Sequence, residues 1–189
     1  MTIKDDDVRQ LVHEVVSRVL AERNAALPVP SDSKIVAPDK SIAVGADHGG
    51  LSMKQDLAKY LAELGYTVTD CGTFTPDPVD YPDTAYAVAK LVSDGAASRG
   101  IIIDGAGIGS AMVANKVPGV RAALCYDLST ARNAREHNDA NVLTLGARLI
   151  GAGLARDIVK VFLETQCTEE RHKKRVEKIM DVERRYLKK

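Results

Sequence analysis

The stretch "GADHGG" (Gly45–Gly50) sets two polar side chains, Asp47 and His48, among three glycines. Glycines permit close backbone approach, and free N–H groups at a helix start favour an anion. Asp47 could equally cap the helix that follows, leaving His48 at the surface. A second stretch, "IIIDGAGIGSA", runs three apolar β-branched residues into Asp104. Gly105, Gly107 and Gly109 then alternate with Ala106 and Ile108, ahead of Ser110. A loop so poor in side chains suits a small ligand whose oxygen is held by backbone N–H groups. Either Asp104 acts on that ligand, or it caps the next helix.

Two further stretches carry polar groups of the right kinds. "REHNDAN" places His137 and Asn138 at a helix end, where a histidine can cap the helix or move a proton. "EERHKKRVEK" sets Arg171 and Arg175 four residues apart, on one helical face, with His172 beside them. Such a charge run can be a solvated face; two arginines one turn apart can also clamp a phosphate.

The elements that must position these groups alternate along the chain. Strands are expected at "SIAVGAD", "YTVTDCG", "GIIID", "VRAALCY" and "NVLTLG". Helices are expected at "GLSMKQDLAKYLAELG", 83–95, about 109–115, "LSTARNAREH", "AGLARDIVKVFLET" and about 168–187. Five short apolar strands separated by helices predict an α/β fold, a parallel sheet covered on both faces. Ligands in such sheets bind beyond the carboxyl ends of strands. That rule sends Asp47-His48, Asp104-Gly105 and Tyr126-Asp127 to one edge. Before this domain, at 41–189, residues 1–24 read as an amphipathic helix with Val8, Leu11, Val12, Val15, Val16, Val19 and Leu20 on one stripe. Residues 25–40 carry three prolines and read as an extended linker.

Composition excludes several classes of function. Twenty-six basic and 26 acidic residues give a formal charge of zero, so no electrostatic case exists for nucleic acid or an anionic membrane. No apolar run approaches the roughly 20 residues of a membrane span. The acidic start "MTIKDDDVRQ" is no secretory signal, and three cysteines without CxxC spacing read as reduced thiols of a cytoplasmic protein with no metal site. Gly105-x-Gly107-x-Gly109 is not the GxGxxG of dinucleotide-binding folds, although Asp70 ends strand two where a ribose-binding acid would sit. No cofactor is expected.

Together "GADHGG", "VDYPDTA", "GAGIGSAMVANKVPGVRAAL", "AREHNDANVLTLGAR" and "RHKKRVEKI", in order, resemble the type B ribose-5-phosphate isomerases and galactose-6-phosphate isomerase subunits. The resemblance covers about residues 41–185. It implies a Rossmann-like three-layer sandwich with a five-stranded parallel sheet. It also implies a homodimer or tetramer whose active sites are each built from two subunits, with no metal or nucleotide. By motif, His48 would help hold the substrate phosphate, Asp47 would contact sugar hydroxyls, and Tyr81 would line the pocket. His137 of a partner subunit would assist ring opening, Asn138 would hold substrate oxygens, and Arg171 and Arg175 would grip phosphate, joined by Arg121. The backbone from Gly105 to Gly109, with Ser110, would form an anion hole for an enediolate.

The implied reaction is aldose–ketose isomerisation of a phosphorylated sugar, tetrose to hexose. It moves a proton between C1 and C2 while an oxygen turns negative. Aimed N–H groups stabilise that oxygen by roughly 3–4 kcal/mol per donor. One branch of the family places a cysteine base where Asp104 stands, and another a glutamate where Ser110 stands; Ala106 stands where a hydroxyl is common. The carboxylate of Asp104 is therefore the expected carbon base. The alternative is a non-catalytic sugar-phosphate-binding or heteromeric subunit of the same family. The added N-terminal helix resembles the encapsulation peptides that direct enzymes into bacterial microcompartments, with a shell protein as partner.

Overall fold

In the computed structural model, residues 40–186 are described. The helix and linker expected before Lys40 lie outside the described residues. Five strands, β1 (Ser41–Ala46), β2 (Thr67–Asp70), β3 (Arg99–Asp104), β4 (Ala122–Leu124) and β5 (Val142–Gly146), alternate with helices. These are α1 (Leu51–Glu63), α2 (Tyr81–Ser93), α3 (Ile108–Ala114), α4 (Leu128–Glu136), α5 (Ala152–Glu164) and α6 (Glu170–Tyr186). All strand pairs are parallel, in the order β2-β1-β3-β5-β4. The expected sandwich is thus what the chain forms.

Strand periodicity explains the two cores. Alternate side chains face opposite sides of a sheet. Ile42, Val44, Ile101, Ile103, Leu143 and Leu145 join α1, α4 and α5 through Leu57, Leu61, Ala131, Ile158 and Phe162. Ala43, Ile102 and Val142 point the other way, onto Val88, Ala89 and Val92 of α2 and Ala114 of α3. Because both faces are covered, the central strands read as continuous apolar runs.

β4 and α2 depart from their expected bounds for local reasons. β4 is only Ala122–Leu124, an edge strand paired to β5 alone. The chain leaves the sheet at Cys125 because Asp127 must cap α4: its carboxylate accepts from Thr130 N–H at 2.8 Å in a capping box. α2 begins two residues early, at Tyr81, since Pro82 is suited to a first helical turn.

Asp70 has a structural partner that bears on the dinucleotide alternative. Lys54, 1% exposed, donates to Asp70 Oδ1 at 2.6 Å and Oδ2 at 2.7 Å, and to the Thr73 carbonyl at 2.8 Å. Gly72 N–H also donates to Asp70 Oδ1, at 2.9 Å. Asp70 anchors a buried ammonium and is not free to hold a ribose. Asp70→Ala should cost about 2–3 kcal/mol in urea unfolding, below the fully buried range because Asp70 is 36% exposed. Lys54→Met should cost less, since the carboxylate left behind can be hydrated.

Candidate functional site

Two groups of the sequence-predicted residues form, and they lie at opposite edges of the sheet. At the carboxyl edge, β1 delivers Asp47, whose Oδ1 accepts from Gly50 N–H at 2.9 Å. That bond closes the turn ahead of α1, whose N-cap is Gly50 rather than Asp47. His48 is exposed, and its Nδ1 accepts from Val79 N–H at 3.3 Å. With Nδ1 an acceptor, Nε2 carries the proton and is the donor left for another partner. The Tyr81 ring lies so close over Gly109 that a Cβ there would sit 2.5 Å from it. Glycine at 109 is therefore what lets Tyr81 roof the loop.

Asp104 ends β3 and is 5% exposed. Its Oδ1 accepts from Ala106 N–H at 2.7 Å and from Gly107 N–H. Its Oδ2 accepts from Ser110 N–H at 3.1 Å and Ser110 Oγ at 2.5 Å. Four donors match the roughly four lone-pair sites of a carboxylate. The turn closes because Gly107 adopts φ +76°, a left-handed conformation open to glycine. Thr144 Oγ1 donates to the Gly107 carbonyl at 2.8 Å, and Tyr126 Oη to the Ala106 carbonyl at 2.9 Å.

The sequence expectation of an open anion hole with a free base beside it therefore needs correction. The two roles share the same hydrogen bonds: Ala106 and Gly107 N–H, expected to face a ligand oxygen, face Asp104. The alternative offered by the sequence, Asp104 as cap of the next helix, describes these bonds: the carboxylate takes Ser110 N–H in the first turn of α3.

At the amino edge, α4 ends at His137. Asp139 follows in a left-handed turn (φ 44°), held by Arg135 Nη1 at 2.6 Å and Arg121 Nη2 at 3.2 Å. Arg121 also donates to the Asp139 carbonyl, at 2.7 and 3.0 Å. Its expected place beside the phosphate arginines is corrected accordingly: it is engaged in holding the turn that presents His137 and Asn138. The His137 ring stacks on His172 of α6, centroids 4.2 Å apart and planes 12° off parallel. Arg171 and Arg175 are exposed on the same helix. Burial first, then His137, Arg171 and Arg175, lowers the pKa of His172 from its ordinary value.

A strand of five or six residues spans roughly 17–20 Å. The groups at Asp47, His48, Tyr81 and Gly105–Ser110 are separated from His137, Asn138, Arg171 and Arg175 by the length of β3 and β5. One chain brings together each half of the predicted set, not both. A cavity of about 420 Å³ borders the second half, lined by Asn138, Arg121, Ile179, Val182 and Tyr186 among others, and includes none of the carboxyl-edge residues.

Arg148 escaped the sequence reading. It stands two residues beyond β5 and is exposed. Its Cδ and Nε lie 3.7 Å from where a Gly105 Cβ would be, and its N–H donates to the Gly105 carbonyl at 3.1 Å. The rule that strand carboxyl ends gather ligand groups, applied to "LGAR", would have found it. Cys71 and Cys125 offer no alternative base. Burial pushes Cys125 up to about 11 and raises Cys71, so neither is a thiolate near neutrality. No helix among the described residues is long and apolar enough to cross a membrane.

Comparison with known proteins gives these observations a family. The ribose-5-phosphate isomerase B of Escherichia coli is 42% identical over 146 residues, covering 77% of this chain and 98% of that protein. The D-erythrulose-4-phosphate isomerase of Pectobacterium atrosepticum is 43% identical over 143 residues, 74% of this chain and 92% of that protein. The solved ribose-5-phosphate isomerase B of Clostridium thermocellum superposes with a TM-score of 0.75 at 48% identity, over 77% of this chain and 98% of that one. The Ribose/Galactose Isomerase family model matches residues 42–179, and the chain belongs to that family.

Proposed function

We propose that the chain interconverts the aldose and ketose forms of a phosphorylated sugar through an enediolate, at a site assembled from two copies of itself. The observation that carries this reading is the division of the site: sugar-facing groups at one sheet edge, a histidine and two phosphate-grade arginines at the other. Neither half suffices alone, and a second chain supplying its amino edge completes both. Exposed Ile108 and Met112 on α3, and Ile179, Val182 and Tyr186 on α6, are apolar surface on the helices that carry the two halves. Such surface fits burial between copies, as a dimer or a dimer of dimers.

In this reading Arg171 and Arg175 of one chain, with His48 of the other, hold the phosphate and so orient the carbon chain. His137 passes a proton at the ring oxygen, opening the sugar. Asn138 and Asp47 hold hydroxyls, Tyr81 closes the pocket, and Arg148 supplies a cation beside Gly105. As the carbonyl oxygen becomes an enediolate it competes with Asp104 for the N–H groups of Ala106 and Gly107. A carboxylate that loses hydrogen bonds becomes a stronger base. Asp104 then takes the C2 proton and returns it to C1, while the oxygen rests on the loop amides. Ligand arrival and base release are thereby one event.

The test is solvent-deuterium incorporation, at C2 of an aldose or C1 of a ketose, for a panel of ribose 5-phosphate, erythrulose 4-phosphate and galactose 6-phosphate. At least one should exchange and isomerise. Binding without exchange for every member would favour the non-catalytic subunit. We further infer from the apolar stripe of residues 1–24 that this segment is an encapsulation peptide docking on a microcompartment shell protein. Deleting residues 1–38 should leave kcat within about twofold and remove co-assembly with shell protein, since the family match begins only at residue 42. Lost turnover would instead make the segment part of the enzyme's fold.

A further inference from the structure

His172 is 2% exposed, yet neither of its ring nitrogens has a hydrogen-bond partner. A buried polar side chain left in that state calls for an explanation. Its one aromatic contact among the described residues is the face-to-face stack on His137. Asn133, one helical turn before His137, places its amide nitrogen 2.9 Å from His137 Nδ1. The direction of that amide is fixed from the other side: Asn138 Nδ2 donates to Asn133 Oδ1 at 3.4 Å and to the Asn133 carbonyl at 3.3 Å.

We infer that His172 and Asn133 are positioning residues for His137: His172 fixes the plane of its ring, and Asn133 fixes which of its nitrogens carries the proton. The inference deepens the proposed function and rests on His137 being the group that passes a proton. With Asn133 Oδ1 engaged by Asn138, only the amide N–H groups face the ring. Nδ1 must then accept, and the proton resides on Nε2. Nε2 lies 3.8 Å from Glu136 Oε1. The His172 side chain serves as a flat apolar slab. Its low proton affinity, arising from burial and from the neighbouring His137, Arg171 and Arg175, keeps it neutral while His137 cycles between charge states. A charged His172 would repel a charged His137 across 4.2 Å. Neutral, it can stack against either form without moving. The contact is by the face of the ring, and neither ring nitrogen holds it by an edge among the described residues.

The chain has four histidines, His13, His48, His137 and His172, so long-range ¹H–¹⁵N spectra of the full-length protein can be assigned by single substitutions. Wild-type His137 should appear as the Nε2–H tautomer. Asn133→Asp presents an acceptor to Nδ1 and should switch it to Nδ1–H, with kcat down roughly 10-fold and KM little changed. A wild-type Nδ1–H tautomer, or no switch in the variant, overturns the role of Asn133. For His172, Phe keeps a flat ring and Leu keeps apolar bulk without one. His172→Phe should hold kcat within a few fold, and His172→Leu should lose up to roughly 10²-fold, as a misplaced proton donor does. Equal activity of the two variants overturns the slab. The tautomer is read in the resting protein, so it stands or falls apart from turnover. Full turnover by His137→Ala would overturn only the proton-transfer role that the inference rests on.

Discussion

Asp104→Asn should abolish deuterium entry at C2 and lower kcat by roughly 10²–10⁴-fold, the share a positioned acid–base supplies. The amide cannot take a carbon proton, and one of its ends must present N–H to a site built entirely from donors. Set against Ala106 and Gly107 N–H, it leaves two buried donors facing a third; set against Ser110, the hydroxyl can turn to accept but the N–H cannot. Each unsatisfied group costs about 1–3 kcal/mol, so a fall in Tm should accompany the lost activity. Ser110→Ala separates the two effects. It withdraws one of four donors and leaves the carboxylate in place, so exchange should persist with kcat within about tenfold. If Asp104→Asn still exchanges solvent deuterium, the base lies elsewhere, and Asp104 serves only to close its loop. If it loses binding of ribose 5-phosphate and of the rest of the panel along with exchange, the same structural role is indicated.

Mixing two inactive variants should restore activity. Asp104→Asn damages the carboxyl-edge half-site and His137→Ala the amino-edge half-site, and each alone should lose roughly 10²–10⁴-fold. If a site takes one half from each chain, a mixed dimer holds one doubly substituted site and one with both halves intact. Random assortment makes half the dimers mixed, so co-expressed variants should recover about a quarter of wild-type turnover. The same fraction holds for a dimer of dimers. Recovery no greater than the sum of the parents would mean that each site lies within one chain, against the separation by the length of β3 and β5. The measurement needs two affinity tags to isolate the mixed species, whose kcat per intact site should match wild type.

The proposed coupling between ligand arrival and base release bears on substrate range. Ala106 offers only its N–H where the family often has a hydroxyl, so hydroxyl recognition falls to Asp47 and Asn138. These groups stand on different edges, and in the proposed two-chain site they would contact different ends of a sugar. Substrate length is then set by the gap between two chains, which explains why loop chemistry alone does not name the sugar.

Much of this protein is determined over short stretches of sequence. The continuous apolar runs in "SIAVGA" and "GIIID" fix strands with two apolar faces, because side-chain direction in a strand has period two whatever surrounds it. The Asp127–Thr130 capping box and the proline of α2 set helix starts through contacts within four residues. The motifs from "GADHGG" to "RHKKRVEKI" carried the family, since their order and spacing survive without knowledge of the fold. Tertiary structure alone decided the rest. Asp70 meets Lys54 across 16 residues, Arg121 meets Asp139 across 18, and His137 meets His172 across 35 by way of α5. The order β2-β1-β3-β5-β4 puts His137 and Asp104 at opposite ends of neighbouring elements. Those pairings depend on which surfaces pack, and packing is a property of the assembled layers that no local run of residues encodes. The direction of the Ala106 and Gly107 N–H groups belongs to the same class, because it follows from how the turn folds back over its own carboxylate.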